Sequence, residues 1–224
     1  MVSRDVVFWE VDTQADFMLP GGKLYVPGAE KLLPNIRRLV NAAREGRVFL
    51  ISDACRHMPS DPEFKTFPPH CVRGTPGARI VPEGLAERFF TVPNDARFKL
   101  PEDLSQYQQV VLEKQTLDVF DNPNTAILAD RFGRHVEFIV FGVVTEFCVR
   151  LAAKGLLDRG RRVSLVKDAI ETLNPMEGRK ALGELQGRGA RFISTDEALA
   201  RLGGAGKAPT ASSGKQSDPG AGRR

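Results

Sequence analysis

Short apolar runs alternate with helical patterns along most of this 224-residue chain. The first run, Val6–Val11, is followed by Ala29–Glu45, where apolar residues recur at helical spacing. The same criteria predict strands at Val48–Ser52, Val110–Glu113, Val136–Phe141 and Val163–Val166, and helices near Glu146–Arg159 and Met176–Gln186. Short buried strands alternating with helices indicate an α/β three-layer sandwich, a doubly wound and mostly parallel sheet with helices on both faces.

The size and composition of the chain favour one soluble domain, which we place at residues 1–202. A hydrophobic content of 42% is ordinary for a globular protein of this length. No run approaches the roughly 18 apolar residues of a membrane span, and no secretory signal is visible. Cys55, Cys71 and Cys148 form an odd set, so we expect reduced thiols and a cytoplasmic location.

Most of the formal net charge of +4 comes from the C-terminus. Residues 203–224 contain four basic residues against one acidic residue, and otherwise consist largely of Gly, Ala, Ser and Pro. Such a segment buries too little apolar surface to offset the entropy of ordering, so we predict a disordered, basic tail. The rest of the chain is nearly neutral, so neither a nucleic acid nor a membrane is expected as a partner.

Three reactive side chains lie at the ends of predicted strands. Asp12 follows the first strand, Lys114 follows the strand that ends at Glu113, and Cys148 follows the strand that ends at Phe141. Ligands of open parallel sheets bind outside the carboxyl ends of the strands. We therefore expect these three side chains to meet at one edge of the sheet.

Cys148 is predicted to lie in the first turn of a helix that has Thr145 as its N-cap. Free amides and the positive end of the helix dipole favour a thiolate there, and a nearby ammonium adds to the effect, so a lowered pKa is expected. Taken alone, this position is weak evidence of function, because free cysteines are commonly buried as small apolar residues.

Residues Asp53–Pro101 differ from the rest of the chain. They are rich in Pro and Gly and contain two of the three histidines, His57 and His70. This composition is typical of a long functional loop. We interpret the segment as a functional insertion rather than as part of the core.

Four motifs resemble those of the isochorismatase-like cysteine hydrolases, and among these the nicotinamidases most of all. They occur in family order at Val11–Phe17, Phe67–Gly77, Glu113–Lys114 and Gly142–Val149, and the resemblance spans roughly residues 5–200. It implies hydrolysis of a small amide, such as nicotinamide, to an acid and ammonia through a thioester. It also implies a homo-oligomer.

The resemblance implies a catalytic triad of Asp12, Lys114 and Cys148. The carboxylate would take the thiol proton and later pass it to the leaving amine, while the ammonium holds positive charge beside both groups. Backbone amides of Val144 and Cys148 would form the oxyanion hole, with a cis peptide between Val143 and Val144.

Two aromatic residues belong to the same family pattern. Phe17 and Phe67 would provide flat walls for a planar substrate ring. Without the resemblance, both would be interpreted as ordinary core residues.

The resemblance also implies a divalent metal, held in the family by an Asp-x-His pair and by a His in a Trp-Pro-x-His-Cys segment. Here His57 and His70 match the two histidines, Cys55 stands in place of Asp, and Phe67 in place of Trp. A set of one sulfur and two imidazoles favours zinc over Mg or Mn. Asp53 would replace Cys55 if the loop were shifted by two residues.

The sequence leaves alternative functions open. Another small amide or carbamoyl compound is one, such as an N-carbamoyl amine, a ureido acid or maleamate; strongly anionic substrates usually need an Arg fork, and Arg56, Arg73 and Arg97 lie in the insertion. A binding protein could use the same scaffold without catalysis. A nucleotide-binding, flavodoxin-like protein has less support, because no Gly-rich phosphate loop follows the first strand.

Overall fold

The computed structural model describes residues 5–203. The predicted tail at 203–224 therefore lies outside the described residues, apart from Gly203. Within this range, no helix is both long and apolar enough to cross a membrane.

Strands and helices alternate along the described chain. In order, they are β1 Val6–Val11, α1 Ala15–Met18, α2 Leu33–Arg44, β2 Phe49–Cys55, β3 Phe89–Val92, β4 Gln109–Lys114, α3 Pro123–Asp130, β5 Glu137–Gly142, α4 Arg150–Asp158, β6 Arg162–Ile170, α5 Pro175–Gly187, β7 Arg191–Ile193 and α6 Thr195–Ala200. A π-helical turn, Thr145–Val149, precedes α4, and short 3-10 turns connect several of the other elements.

The strands form one parallel sheet in the order β3-β4-β2-β1-β5-β6-β7. The chain adds strands on one side of β1 and then returns to place β5 on the other side, so the direction of winding changes between β1 and β5. Gly142 ends β5 at φ 118°, and a Cβ there would lie 2.0 Å from the carbonyl oxygen of Val11. Only glycine allows the two strands to approach so closely at this switch point.

Helices cover both faces of the sheet, which confirms the predicted three-layer α/β sandwich. On one face, α2 buries Ile36, Leu39 and Val40 against Phe8 of β1. Their spacing places all three on one side of the helix, and burying each contributes about 1.5–3 kcal/mol. Helices α3, α4 and α5 pack on the other face with Trp9.

Several elements were missed by the sequence analysis: β3, β7, α1, α3 and α6. The interpretation of Asp53–Pro101 as a loop outside the core is wrong in part. The segment continues β2 to Cys55 and adds β3 as an edge strand, and Cys71 and Val81 are buried in the core. The reason is local, since β3 has only four residues and the inward-facing residues sit singly in Pro-rich turns, where no periodicity marks them.

Candidate active site

Asp12, Lys114 and Cys148 meet at the switch point between β1 and β5. The Nζ atom of Lys114 lies 2.8 Å from Asp12 Oδ2 and 3.5 Å from Cys148 Sγ. All three side chains are buried. The structure thus brings the three residues of the predicted triad into contact, although more than a hundred positions separate Asp12 from Lys114.

Asp12 leaves β1 with a left-handed backbone, at φ 49°, which Asp tolerates better than most residues. Its amide donates to the carbonyl of Asp53 on the adjacent strand, at 3.1 Å. Lys114 occupies Oδ2, whereas Oδ1 is buried and has no hydrogen-bond partner within residues 5–203. One carboxylate oxygen is therefore anchored, and the other remains able to accept a proton.

Lys114 is fully buried among groups that can carry negative charge. Its Nζ atom also lies 3.1 Å from Cys55 Sγ and 4.0 Å from Asp53 Oδ1. Burial by itself would lower the pKa of Lys114, but the charges of Asp12, Cys148, Cys55 and Asp53 raise it well above its ordinary value. The ammonium is consequently a fixed positive charge at the centre of the cluster.

Cys148 lies in the π-helical turn after β5, at the helix start that was predicted for it. The predicted lowering of its pKa is wrong. Burial raises the pKa of the thiol well above its ordinary value, Lys114 acts in the opposite direction, and the Asp12 carboxylate raises the pKa further. Loss of hydration outweighs the ammonium here, so the folded protein favours the protonated thiol.

Thr145 is not the N-cap that the sequence suggested. Val144 occupies that position, and both the amide and the hydroxyl of Thr145 donate to the carbonyl of Glu171, at 2.8 and 2.7 Å. The tertiary contact competes successfully for the hydroxyl. The peptide bond between Val143 and Val144 is cis, as the family resemblance implies.

Glu146 ties the turn that carries Cys148 to residues 171–174. Its Oε1 accepts hydrogen bonds from the amides of Leu173 at 3.0 Å and Asn174 at 2.7 Å, and its Oε2 accepts one from Thr172 Oγ1 at 2.6 Å. The carboxylate is buried. Glu146 therefore fixes Leu173 relative to the sulfur of Cys148.

A cavity of about 20 Å³ adjoins these groups, and it is named the catalytic cavity because it borders the predicted triad. It is lined by Asp12, Phe17, Leu24, Cys55, Glu63, Phe67, His70, Leu117, Val143, Val144, Phe147, Cys148 and Leu173. Both predicted aromatic walls are present, and Phe67 packs edge-on against Phe147 with 6.0 Å between ring centroids. A void of this volume holds about one water molecule, so a ring-sized ligand needs outward movement of side chains at the rim.

No arginine is among the described residues that line the catalytic cavity. Arg56 and Arg73 both bind the Glu113 carboxylate, at 2.9 and 3.0 Å. Arg97 is exposed and pairs with Asp95 at 2.9 Å. The three arginines considered for an anionic substrate are thus engaged outside the cavity.

Cys55, His57 and His70 form a compact, buried group beside the predicted triad. Their potential ligand atoms all lie within 4.8 Å of one another. Both ring nitrogens of His57 are buried and form no hydrogen bond within residues 5–203. Such atoms are normally satisfied in a folded protein, and one sulfur with two imidazoles is a donor set typical of zinc, so the residues fit a divalent metal.

The alternative ligand Asp53 does not belong to this group. Its Oδ2 accepts a hydrogen bond of 2.9 Å from the indole of Trp9. Burial and the charge of Asp12 raise its pKa well above the ordinary value. The carboxylate therefore lies on the Lys114 side of the site rather than between the histidines.

Glu63 was missed by the sequence analysis. Its Oε1 lies 3.9 Å from His57 Nε2 and 3.8 Å from His70 Nε2, so the carboxylate faces both imidazoles of the group. Asp61 and the carbonyl of Pro68 approach the other ring nitrogens of the two histidines, at 3.1 and 2.9 Å, where they can orient the rings. The available signal was chemical, because a zinc site normally has four ligands and the sequence supplied three.

Gln14 and Asp16 attach the insertion to the site. The Gln14 amide accepts from Cys55 N at 2.7 Å and donates to Cys55 O at 2.8 Å. Asp16 accepts from Cys71 N at 2.7 Å, and Gly77 leaves room for this carboxylate, since a Cβ there would lie 2.1 Å from Oδ1. These roles were not predicted, because the partners are backbone groups more than forty positions away.

Comparisons with known proteins place this fold and site in context. A model of the isochorismatase domain family matches residues 7–91 and 85–197. A comparison with curated protein sequences gives no significant match. The family resemblance is therefore supported by the family model and by solved structures.

Among the solved structures that are similar, the pyrazinamidase of Pyrococcus horikoshii in complex with zinc is 26% identical, with a TM-score of 0.66 over 85% of this chain and 99% of that one. The nicotinamidase of Bacillus subtilis is 20% identical, with a TM-score of 0.66 over 85% and 99%. The N-carbamoylsarcosine amidase of Thermoplasma acidophilum is 22% identical, with a TM-score of 0.66 over 85% and 96%. Because the family model covers most of its length, this chain belongs to the isochorismatase family.

Proposed function

We propose that this protein is a cysteine-dependent amidohydrolase that cleaves a small, uncharged amide of the nicotinamide kind to an acid and ammonia. The proposal depends on one observation: a buried ammonium, Lys114, bridges the Asp12 carboxylate and the Cys148 sulfur at the wall of an apolar cavity. Similarity to a pyrazinamidase and a nicotinamidase supports the same chemistry.

In the proposed reaction, Asp12 Oδ1 takes the proton of the Cys148 thiol as the sulfur attacks the amide carbon. The carbonyl electron pair moves to oxygen, and the amides of Val144 and Cys148 are the proposed donors to this oxyanion. When the carbonyl re-forms, the C–N bond breaks, and the proton on Asp12 passes to the leaving nitrogen. Ammonia departs, and the acyl group remains on sulfur as a thioester.

The second half of the proposed reaction repeats these roles with water. Asp12 takes a proton from the water as its oxygen attacks the thioester carbon. The C–S bond then breaks, the acid is released, and the proton returns to the Cys148 sulfur. Lys114 stays charged throughout and balances the negative charge that moves between the carboxylate and the sulfur.

We propose that Cys55, His57 and His70, with Glu63, hold a divalent metal, and zinc suits the donor set best. When bound, the metal would supply a Lewis-acidic position for a ring nitrogen or a water, which orients the substrate. Similarity to a pyrazinamidase that was solved with zinc supports this assignment. The homo-oligomer implied by the family resemblance stays a prediction.

The lining of the catalytic cavity supports an uncharged substrate. Apart from Asp12, Cys148 and the candidate metal ligands Cys55, Glu63 and His70, its walls are apolar or aromatic. Arg56 and Arg73 are paired with Glu113 and do not line it. An anionic substrate would lose its hydration there without an arginine to pair with its carboxylate, and Lys114 is already engaged with Asp12. Hydrolysis of an N-carbamoyl amine is the second candidate, because an N-carbamoylsarcosine amidase has the same fold.

Ammonia release from a matched panel tests the proposal. We expect nicotinamide and pyrazinamide to give a kcat/KM at least about tenfold above that of maleamate and N-carbamoylsarcosine. A preference for the two anionic compounds would contradict the neutral-substrate assignment. Release from none of the four, together with saturable nicotinamide binding, would favour the binding-protein alternative.

A further inference from the structure

A second and larger cavity lies at the opposite end of the sheet. Its volume is about 430 Å³, against about 20 Å³ for the catalytic cavity. It is lined by Ala43, Gly46, Val48, Phe49, Arg88, Glu102, Asp103, Leu104, Ser105, Tyr107, Gln108, Leu128, Arg131 and Phe132. Strand β2 begins at this cavity and ends at Cys55, seven residues or roughly 20 Å away, so a ligand here does not touch the reactive groups.

The walls of this second cavity are apolar and aromatic. Val48 and Leu128 are fully buried beneath it. Phe49 and Phe132 pack with 5.8 Å between ring centroids, and Tyr107 is braced against Phe90 at 5.1 Å. Rings held in place by neighbouring rings form a preorganised surface on which a planar ligand can pack.

The charged groups around the second cavity balance one another. Arg88 and Arg131 stand against Glu102 and Asp103. The Arg131 guanidinium donates to the Pro101 carbonyl at 2.6 Å, so it is already engaged. Because the lining carries no net charge, it gives an ionic ligand no overall electrostatic attraction to offset lost hydration, and therefore favours a neutral one.

Hydrogen-bonding groups remain for such a ligand. Within residues 5–203, the Arg88 guanidinium forms no ion pair and donates only through Nε, to the Gln106 carbonyl at 3.1 Å. The hydroxyl groups of Ser105 and Tyr107 also border the cavity. An apolar pocket with a few polar groups at its edge is the usual form of a small-molecule site.

We infer that this second cavity is a binding site for an uncharged, ring-containing small molecule, separate from the site of hydrolysis. Its volume lies within the ~300–1,000 Å³ range of such pockets. The inference is independent of the proposed hydrolysis, because none of the lining residues belongs to the catalytic cavity.

A pair of fluorescent probes tests the site and the charge of its ligand. N-phenyl-1-naphthylamine is neutral and fluoresces in apolar surroundings, and 1-anilinonaphthalene-8-sulfonate has the same rings with a negative charge. We expect the full-length protein to bind one equivalent of the neutral probe at least about tenfold more tightly than the anionic one. Tighter binding of the anionic probe, or no saturable binding of the neutral probe, would overturn the inference.

Two matched variants locate the bound probe. Ser105 is exposed and lines the cavity, whereas its neighbour Gln106 is exposed and does not. We expect Ser105→Trp to weaken binding of the neutral probe at least about tenfold, and Gln106→Trp to change it less than twofold. Equal affinity in both variants would place the probe elsewhere and contradict the site.

Two further readouts exclude other occupants. Saturating N-phenyl-1-naphthylamine should leave the rate at which iodoacetamide labels Cys148 unchanged, and protection of Cys148 would assign the probe to the catalytic cavity instead. Sedimentation should give the same mass for wild type and Ser105→Trp. A loss of oligomer in that variant would show that a second copy of the chain covers the cavity, which would also overturn the inference.

Discussion

Two groups of side chains border the catalytic cavity, and they differ in how fully the chain itself satisfies them. Around Lys114, the ammonium has acceptors in Asp12, Cys55 and Cys148, all within 3.5 Å. Around His57, both ring nitrogens are buried and form no hydrogen bond within residues 5–203. The ammonium of Lys114 therefore has its acceptors within the folded chain, whereas the imidazole of His57 has no hydrogen-bond partner among the described residues.

The two groups also differ in what holds their side chains in position. The ammonium cluster is held by strand ends whose register is fixed by the sheet, so its geometry belongs to the fold. The histidine group, Cys55, His57 and His70, begins at the end of β2 and continues beyond it. There, an isolated bridge between His57 and Val72 and a 3-10 turn take the place of a continuous strand pairing. Each half can be tested separately.

Removing the predicted nucleophile should have the largest effect. We expect Cys148→Ala to lower kcat/KM for nicotinamide at least about a thousandfold, because the variant lacks the sulfur on which the proposed thioester forms. Steady-state ammonia release measures this. Cys71→Ala is the matched control, since Cys71 is equally buried and does not line the cavity; equal losses in both variants would contradict the assignment.

Removal of one imidazole from the histidine group should abolish metal binding and leave the contacts of Lys114 with Asp12 and Cys148 in place. We expect wild type purified without added metal to contain about one equivalent of zinc by elemental analysis, and His57→Ala to contain less than a tenth of that. Removal of zinc with a chelator should lower the Tm of the wild type and leave that of the variant unchanged.

His135→Ala provides the control for the metal measurement, because His135 is 63% exposed and remote from the site. It should retain the zinc content and the Tm response of the wild type. Equal zinc in the His57→Ala protein would show that the buried imidazole serves packing alone.

A change in the wall that both groups share should affect substrate binding more than chemistry. We expect Phe67→Ala to raise KM for nicotinamide about tenfold while kcat changes less than threefold, since the ring contacts ground state and transition state alike. Phe89→Ala removes an exposed ring at the sheet edge and should leave both constants unaltered. A fall in kcat with constant KM would assign Phe67 to the chemistry instead.

A third polar cluster, elsewhere in β1, sharpens the comparison at the level of stability. Glu10 is fully buried and accepts hydrogen bonds from Ser52 at 2.7 Å, Thr13 at 2.8 Å and Gln109 at 3.2 Å. Burial raises its pKa to about 7, although the two hydroxyls and the charge of Arg44 act in the opposite direction. The Glu10 carboxyl group thus has hydrogen-bond donors at both oxygens, yet burial disfavours its ionised form.

The sign of the resulting pH dependence follows from that raised pKa. As pH rises from 4.5 to about 7, the unfolded chain loses this proton before the folded protein does. The free energy of unfolding therefore falls by about 3 kcal/mol over this range. Glu10→Gln should remove this contribution. The free energy of unfolding should therefore fall less between pH 5 and pH 8 in the variant than in the wild type. The same change with pH in both proteins would contradict a buried, protonated Glu10.

Much of the fold and the contact between Asp12, Lys114 and Cys148 could be predicted, because strand ends of a parallel sheet share one edge. The pKa of Cys148 could not, since it depends on how much water the folded walls exclude. Glu63 and Glu146 were also beyond prediction, because their partners are ring nitrogens and backbone amides whose positions are set by tertiary packing. Register and periodicity are visible in a sequence, whereas desolvation is not.

The hydrogen bonds of Glu146 couple the position of the Cys148 sulfur to that of Leu173, which lines the same cavity. The Glu146 carboxylate accepts hydrogen bonds from the segment that contains Leu173, and Glu146 lies in the same turn as Cys148. We therefore expect a change in the packing of that segment, as a bulkier substrate would require, to displace Cys148 as well. In the proposed reaction, substrate selectivity and rate are therefore coupled. We expect a variant that accepts larger substrates through changes at residues 171–174 to lose turnover unless the hydrogen bonds of Glu146 are retained.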